Sequence, residues 1–269
     1  MKAAVVGHVE WVTFARVDHV PEPGEIVHAS NRFELPAGGG AVAAVQLAKL
    51  AGNCTFYTAL ADDELGHRAK RELAGHGVDL EVVFRDEKQR QAFTHVDARG
   101  ERTITVMGER LGPRASDELP WNDLSDVDAV FFTAGDDEAL RLCRKAKVLV
   151  ATTREAERIS RVGVYLDAAV GSGRDPSERY KETTPHPGLI VETLGSDGGR
   201  YRVPPDDWIS FAAAALPGPV VCTYGAGDNF AAGLTFALGA GKSVDEALKL
   251  GGELGAQALT ISGPYESGS

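Results

Sequence analysis

A carboxylate follows two glycines near the end of the chain, in the run Val220-Val221-Cys222-Thr223-Tyr224-Gly225-Ala226-Gly227-Asp228. The small residues Gly225, Ala226 and Gly227 let bare backbone N–H groups approach an anion closely. A helix opening at this point aims its N-terminal dipole at the same spot, which suits phosphate. Asp228 then falls in the first turn, where the dipole favours a carboxylate and is expected to keep it ionised. Together these make an anion cradle beside a base. Phosphoryl transfer to a hydroxyl needs both, one to hold the developing charge and the other to take the proton. Taken by itself the tetrapeptide also fits a plain turn with a helix cap, so its neighbours decide.

The elements that must hold these residues are legible as a pattern. Lys2–Val6 reads as a first strand, 37–51 as a small-residue helix entered through Gly38-Gly39-Gly40, 54–59 as a strand and 62–76 as an amphipathic helix. From 129 onward strands are expected at 129–133, 147–151, 162–165, 168–170, 189–192 and 220–222. Helices are expected at 137–145, 153–160, 226–238 and 244–259. Alternating strands and helices imply a mostly parallel sheet covered by helices on both faces. Two stretches break that alternation. Residues 11–35 turn at Pro21-Glu22-Pro23-Gly24, and residues 91–107 read as a hairpin around Asp97-Ala98-Arg99-Gly100. They are expected to form a small β-sheet lid inserted in a single α/β domain spanning 1–269.

Composition narrows the classes of function. The formal net charge of −11 argues against a nucleic-acid partner, which needs a basic face. Three widely spaced cysteines, Cys54, Cys143 and Cys222, show neither a disulfide framework nor zinc spacing. There is no signal-peptide pattern and no apolar run long enough for a membrane span, so the expected location is cytoplasmic. Gly239-Ala240-Gly241-Lys242-Ser243 ends like a phosphate-binding loop, but Phe236 stands where that loop needs glycine.

Several partial motifs occur in one order along the chain. Thr223 and Gly225–Asp228 resemble the second signature of the ribokinase-like (phosphofructokinase-B) carbohydrate kinases, Asp-Thr-x-Gly-Ala-Gly-Asp, with Cys222 in place of the leading Asp. The run Gly38-Gly39-Gly40 resembles the family's N-terminal signature, whose glycines abut the sugar; aligned on Ala44, Ala48 and Leu50, the signature's glycine pair falls on Ala37-Gly38, and Val42 stands where members aim an Asn at a sugar hydroxyl. Asp62–Gly66 with Gly77-Val78-Asp79, and Gly100-Glu101-Arg102-Thr103 in the lid hairpin, resemble further family stretches. Thr193-Leu194-Gly195-Ser196-Asp197-Gly198-Gly199 is similar to the turn that lies beneath the nucleotide; Asp-Gly there also suits a β-turn. Ser172-Gly173-Arg174-Asp175 is the nearest candidate for a metal-positioning Asn-x-x-Glu motif, with Asp175 as its carboxylate. Gly252, where members often place an Asn near the adenine, and Gly255 complete the nucleotide side.

This resemblance, running from about Val6 to Gly263, implies a three-layer ribokinase-like fold and transfer of phosphate from ATP, with Mg²⁺, to a hydroxyl of a sugar or sugar-like molecule. Asp228 is the implied general base and Gly225, Ala226 and Gly227 the implied cradle. Glu10 is expected to reach the acceptor hydroxyls, because the Asp common in sugar kinases is Val12 here, and Arg102 is expected to close over the acceptor from the lid. Many members hold a monovalent cation such as potassium beside the cradle; Cys222 is a poor ligand for a hard cation, so weak or altered cation activation is expected here. A nucleoside kinase and a non-catalytic ligand sensor on the same fold stay open as alternatives. The lid, with one face uncovered, is expected to make a homodimer.

Overall fold

The computed structural model describes residues 1–265. A nine-stranded sheet forms its middle layer. In chain order the strands are β1 (Ala3–Gly7), β4 (Cys54–Ala61), β5 (Val78–Arg85), β8 (Ala129–Phe132), β9 (Val148–Thr152), β10 (Ala168–Ser172), β11 (Leu189–Thr193), β12 (Gly199–Arg202) and β13 (Ile209–Phe211). Across the sheet they run β13-β12-β11-β10-β9-β8-β1-β4-β5, and every pairing from β5 through β11 is parallel. Only β12 and β13 are antiparallel additions at one edge.

Side-chain alternation explains the layering. Successive residues of a strand face opposite ways. Ala3 and Val5 of β1 therefore enter one core, and Ala4 and Val6 enter the other. The first core is covered by α1 (Gly39–Ala51), α2 (Glu64–Gly75), α5 (Ala226–Gly239) and α6 (Val244–Ala258). The second is covered by a 3₁₀ turn at Trp121–Asp126, α3 (Asp137–Cys143) and α4 (Ala156–Val162). Burying both faces accounts for strands that are apolar throughout rather than alternating.

The lid is a separate four-stranded sheet in the order β3-β2-β6-β7, made of β2 (Glu10–Arg16), β3 (Asn31–Ala37), β6 (Gln91–Val96) and β7 (Arg102–Met107). Its inner face, with Val12, Phe14, Leu35 and Ala92, joins the first core, and Phe14 stacks on Phe33 at 4.8 Å. Six residues of β7 stand exposed along the outer edge. The hairpin turn is fixed by Asp97, whose carboxylate accepts from the Arg99 and Glu101 N–H groups.

Two expected strands are corrected. Val220–Cys222 is not a strand. Val221 and Cys222 donate to the Leu259 carbonyl, and the Thr223 N–H donates to Gly100 of the lid turn, so no ladder partner is left. Residues 162–165 are not a strand either. Val162 is the last residue of α4, and Gly163, left-handed at φ 68, caps it by donating to Ile159. Strands β5, β12 and β13 lie outside the sequence expectations.

Candidate active site

The site forms where the order of successive strands reverses in the sheet. β1 lies between β4 and β8, and open α/β sheets bind ligands in the crevice at the carboxyl ends of such strands. Immediately after β1, His8 and Glu10 are buried, and the helix α1 begins against them. A Cβ on Gly40 would meet the His8 carbonyl oxygen at 2.6 Å, so the glycine run permits close packing of α1 on this turn. Gly38 and Gly39 are left facing the crevice, bracketed by Glu10 and His8 on one side and Asp228 on the other.

The cradle is built by the entry to α5. Gly225 adopts φ 81, the left-handed region that favours glycine, and a Cβ there would lie 2.5 Å from Pro264 Cβ. The Asn229 amide holds the turn from below by donating to the Gly225 and Pro264 carbonyls, each at 2.9 Å. Tyr224 ties the turn to the other glycine pair, its hydroxyl accepting from the Gly38 N–H at 3.2 Å. The opening N–H groups of α5 have no partner within the helix, as at any helix start. Above Gly227 there is open space, with nothing within 4 Å of an added Cβ. Val42, the substituted Asn position, is buried beneath Gly225.

Charge converges on this floor. Burial pushes the Asp228 carboxyl up to about 7, and the negative charges of Glu178 and Glu10 push the same way, against Arg102 and Arg154. The expectation that the helix dipole keeps Asp228 ionised is therefore corrected: without ligands, loss of hydration outweighs the dipole. Glu10 is the first residue of β2; its Oε1 accepts from Arg90 Nε at 2.7 Å. His8 is held neutral by burial and by Arg110, Arg90 and Arg154. Two buried atoms here have no hydrogen-bond partner among the described residues, His8 Nδ1 and Thr133 Oγ1.

Arg102 lies at the start of β7 with its backbone N–H donating to Thr223 Oγ1 at 3.1 Å, which docks the lid beside the cradle. On the far side, Asp175 pairs with Arg154 at 2.9 Å and accepts from the Ser177 hydroxyl at 2.7 Å. Glu178 also pairs with Arg154, and it is Glu178 whose charge reaches Asp228. The sequence reading passed over it. Asp175-Pro176-Ser177-Glu178 retains the Glu of an Asn-x-x-Glu spacing, and that was the available signal. Arg90, Arg110 and Arg154 carried no sequence signal, because two separate loops and the 3₁₀ turn at Thr153–Glu155 supply them.

The remaining expected residues line the β11–β12 turn and α6. Thr193 ends β11, and Gly195, Ser196 and Gly198 form the tight turn into β12, with Gly195 at φ 62 and Gly198 at φ 79. Arg174 crosses this turn to pair with Asp197 at 2.6 Å, passing 3.0 Å from a Cβ on Gly195. Gly252 faces Ala214, and Gly255 packs against the Ala226 carbonyl at the start of α5. Among the described residues no group of three or more His, Cys, Asp or Glu side chains could hold a metal alone. Mg²⁺ carried by nucleotide phosphates needs only one or two carboxylates, and Asp175 and Glu178 supply oxygens of that kind. No helix is long and apolar enough to cross a membrane.

Comparison with known proteins agrees with this fold. An ATP-dependent ribose-1-phosphate kinase from Halopiger xanaduensis is 28% identical, covering 93% of this chain and 89% of its own. A ribokinase from Arabidopsis thaliana, solved with ribose and ATP, superposes with a TM-score of 0.75 at 19% identity over 97% of this chain and 93% of its own. Adenosine kinase from Sinorhizobium meliloti superposes at 0.78 with 18% identity over 98% and 95%. At those identities the two structures show a shared ribokinase fold. The family description "pfkB family carbohydrate kinase" matches residues 1–169 and 132–268, and the chain belongs to that family of carbohydrate kinases.

Proposed function

We propose that this carbohydrate kinase transfers the γ-phosphoryl group of ATP to a sugar hydroxyl, with Asp228 as the general base. The observation that carries this is the pairing of a raised-pKa carboxylate with unpartnered helix N–H groups at one helix entry. The acceptor lies along Gly38 and Gly39, so its hydroxyl meets Asp228. The hydroxyl oxygen attacks the γ-phosphorus while its proton passes to the Asp228 carboxylate. The bond from phosphorus to the β–γ bridging oxygen breaks, and ADP leaves with that electron pair. Amides at Ala226 and Gly227 hold the transferring group, as preorganised donors do for developing charge.

A base tuned near neutrality suits this role, since proton transfer is most efficient when the catalytic pKa lies near the working pH. Glu178 and Asp175 would hold Mg²⁺, which offsets charge on the phosphates as they separate. Thr193, Gly195, Ser196 and Gly198 form the nucleotide floor, with Gly252 and Gly255 on the adenine side. Glu10 offers its second carboxylate oxygen to acceptor hydroxyls while Arg90 holds the first. Arg102 and the lid close over the acceptor and exclude water that would otherwise hydrolyse ATP.

The test is ADP release measured across a panel of sugars, sugar phosphates, sugar acids and nucleosides. ADP release well above the acceptor-free rate, with a phosphorylated product identified, supports the reading. ATP binding without turnover on any acceptor leaves a ligand sensor instead.

A further inference from the structure

Gly7, the last residue of β1, has a threonine on either side. Thr58 lies opposite it on β4, and the Thr58 hydroxyl donates to the Gly7 carbonyl at 2.9 Å. On the other side β8 pairs with β1 up to Val6 and Phe132. The Thr133 N–H then carries the ladder one step further by donating to the Val6 carbonyl at 2.8 Å. Thr133 therefore stands at the carboxyl end of β8, at the β1–β8 boundary where the strand order reverses. The two hydroxyls fare differently. Thr133 is only 4% exposed, yet its Oγ1 has no hydrogen-bond partner among the described residues.

A buried hydroxyl without a partner is costly, and folded proteins keep few of them. The placement of Thr133 supplies a reason for this one. Phe131 enters the first core, and side chains alternate along a strand, so Thr133 faces the same way, toward the starts of α1 and α5. A Cβ on Gly7 would lie 2.2 Å from Thr133 Oγ1, so the hydroxyl fills the space that a side chain at residue 7 would take. A Cβ on Gly39 would lie 3.0 Å from Asp228 Oδ1 and 3.9 Å from the Thr133 methyl carbon Cγ2. Asp228 and Thr133 thus border the same point over Gly39 from two different elements. Thr133 presents its methyl to that point and its hydroxyl to Gly7. A turn of about 120° about χ1, from one staggered well to the next, carries the hydroxyl to where the methyl now stands.

We propose that Thr133 binds the acceptor: its hydroxyl turns toward Gly39 and hydrogen-bonds an acceptor hydroxyl beside the one that gives its proton to Asp228. This rests on the kinase reading above and adds a specificity-determining residue to the same site. A threonine hydroxyl both donates and accepts, so it suits a sugar hydroxyl in either role. It also selects. An acceptor with an apolar group at that point leaves the Thr133 hydroxyl unpaired, whereas a polyol satisfies it. The ligand-free protein carries the orphan and the bound acceptor relieves it. Removing the hydroxyl should therefore move ligand-free stability and acceptor binding in opposite directions, a combination that a residue needed only for packing does not give.

The test sets Thr133→Val beside Thr133→Ser. The readouts are the melting temperature of the ligand-free protein and ADP-release kinetics on ribose, fructose, their monophosphates and adenosine. Valine keeps the branched shape without the hydroxyl, and serine keeps the hydroxyl without the methyl. Thr133→Val should melt at or above the wild-type temperature, because it removes an unpaired polar group. It should also raise the KM of whichever acceptor is turned over by about 5–100-fold, the loss expected when an acceptor hydroxyl is left unpaired. Thr133→Ser should melt lower, having lost a buried methyl, yet keep that KM within about threefold of wild type. The KM for ATP should not change in either variant. A Thr133→Val protein that melts below wild type would show that the hydroxyl has a structural partner, and would overturn the proposal. So would an unchanged acceptor KM in Thr133→Val, or an equal rise in both variants, while turnover itself keeps the kinase reading standing. If no acceptor in the set raises ADP release above the acceptor-free rate, the kinase reading fails and the assignment of Thr133 falls with it.

Discussion

Gly39 and Asp228 meet across the floor of the crevice: a Cβ built on Gly39 would lie 3.0 Å from Asp228 Oδ1. The first glycine-rich helix start and the second are therefore halves of one site, joined also by the hydrogen bond from the Gly38 N–H to Tyr224. With only hydrogen on Gly39, the backbone leaves the proposed acceptor hydroxyl a path to the carboxylate. The same enclosure strips water from Asp228 and raises its pKa to about 7.

That shift gives a pH dependence of definite sign. The base works only when ionised, so kcat/KM for the acceptor should fall about tenfold per pH unit below about 7 and level off above it. Stability runs the other way. A carboxyl whose folded value exceeds its unfolded value of about 4 stabilises the ligand-free protein when protonated, and this is lost as pH rises through 7. Asp228→Asn should therefore raise the melting temperature more at pH 8 than at pH 5. A wild-type activity limb near pH 4, with no such crossover in melting, would mean that the carboxyl is not perturbed.

Gly225 and Gly227 should respond differently to alanine. At Gly225 a methyl group meets a left-handed backbone and Pro264 Cβ at 2.5 Å, so Gly225→Ala should lose roughly 2 kcal/mol or more in urea unfolding. At Gly227 nothing stands within 4 Å, so Gly227→Ala should keep its stability but weaken ATP use by crowding the cradle. Equal stability losses at both positions would contradict the assignment of their separate roles.

Glu10→Gln keeps the shape beside Arg90 but removes the charge. It should lower acceptor kcat/KM by about tenfold or more, in line with a hydrogen bond to a charged group, and leave the KM for ATP unchanged. Unaltered acceptor kinetics would remove Glu10 from the acceptor contacts.

The lid edge should mediate a homodimer. Strand β7 borders the lid sheet with Ile104, Val106 and Met107 each at least 40% exposed, and an open apolar edge invites pairing with a second copy. Light scattering at micromolar concentration should give a dimer mass, and Val106→Lys should shift it toward monomer. A monomeric wild type with and without ligands would overturn this.

Much of this fold was legible because its strongest signals are local. The apolar run of β1, the small-residue face of α1, the alternation of β6 and β7 and the glycine turn into α5 each follow from neighbouring residues. What escaped depended on distant partners. Val220–Cys222 has strand-like composition, yet its N–H groups go to Leu259 and its neighbour Thr223 to Gly100. Asp228 reads as an ionised helix-start carboxylate until the crevice around it is known. Strand β5 alternates apolar and polar at Val78-Asp79-Leu80-Glu81 and was readable, but its Gly-Val-Asp opening drew attention as a motif. Glu178 was hidden by one misplaced spacing, and the arginines around His8 by their separation in sequence.

The central claim, that Asp228 takes the proton while the backbone cradle binds phosphate without it, is tested most directly by Asp228→Asn. Asn keeps the shape at the start of α5 and removes the base. Single-turnover phosphoryl transfer to the acceptor identified in the panel should slow by at least about 10²-fold, the lower end of general-base contributions. ATP–Mg²⁺ affinity measured calorimetrically on the same sample should stay within a few-fold of wild type. A variant that transfers phosphate at nearly the wild-type rate would show that another group accepts the proton and would contradict the account.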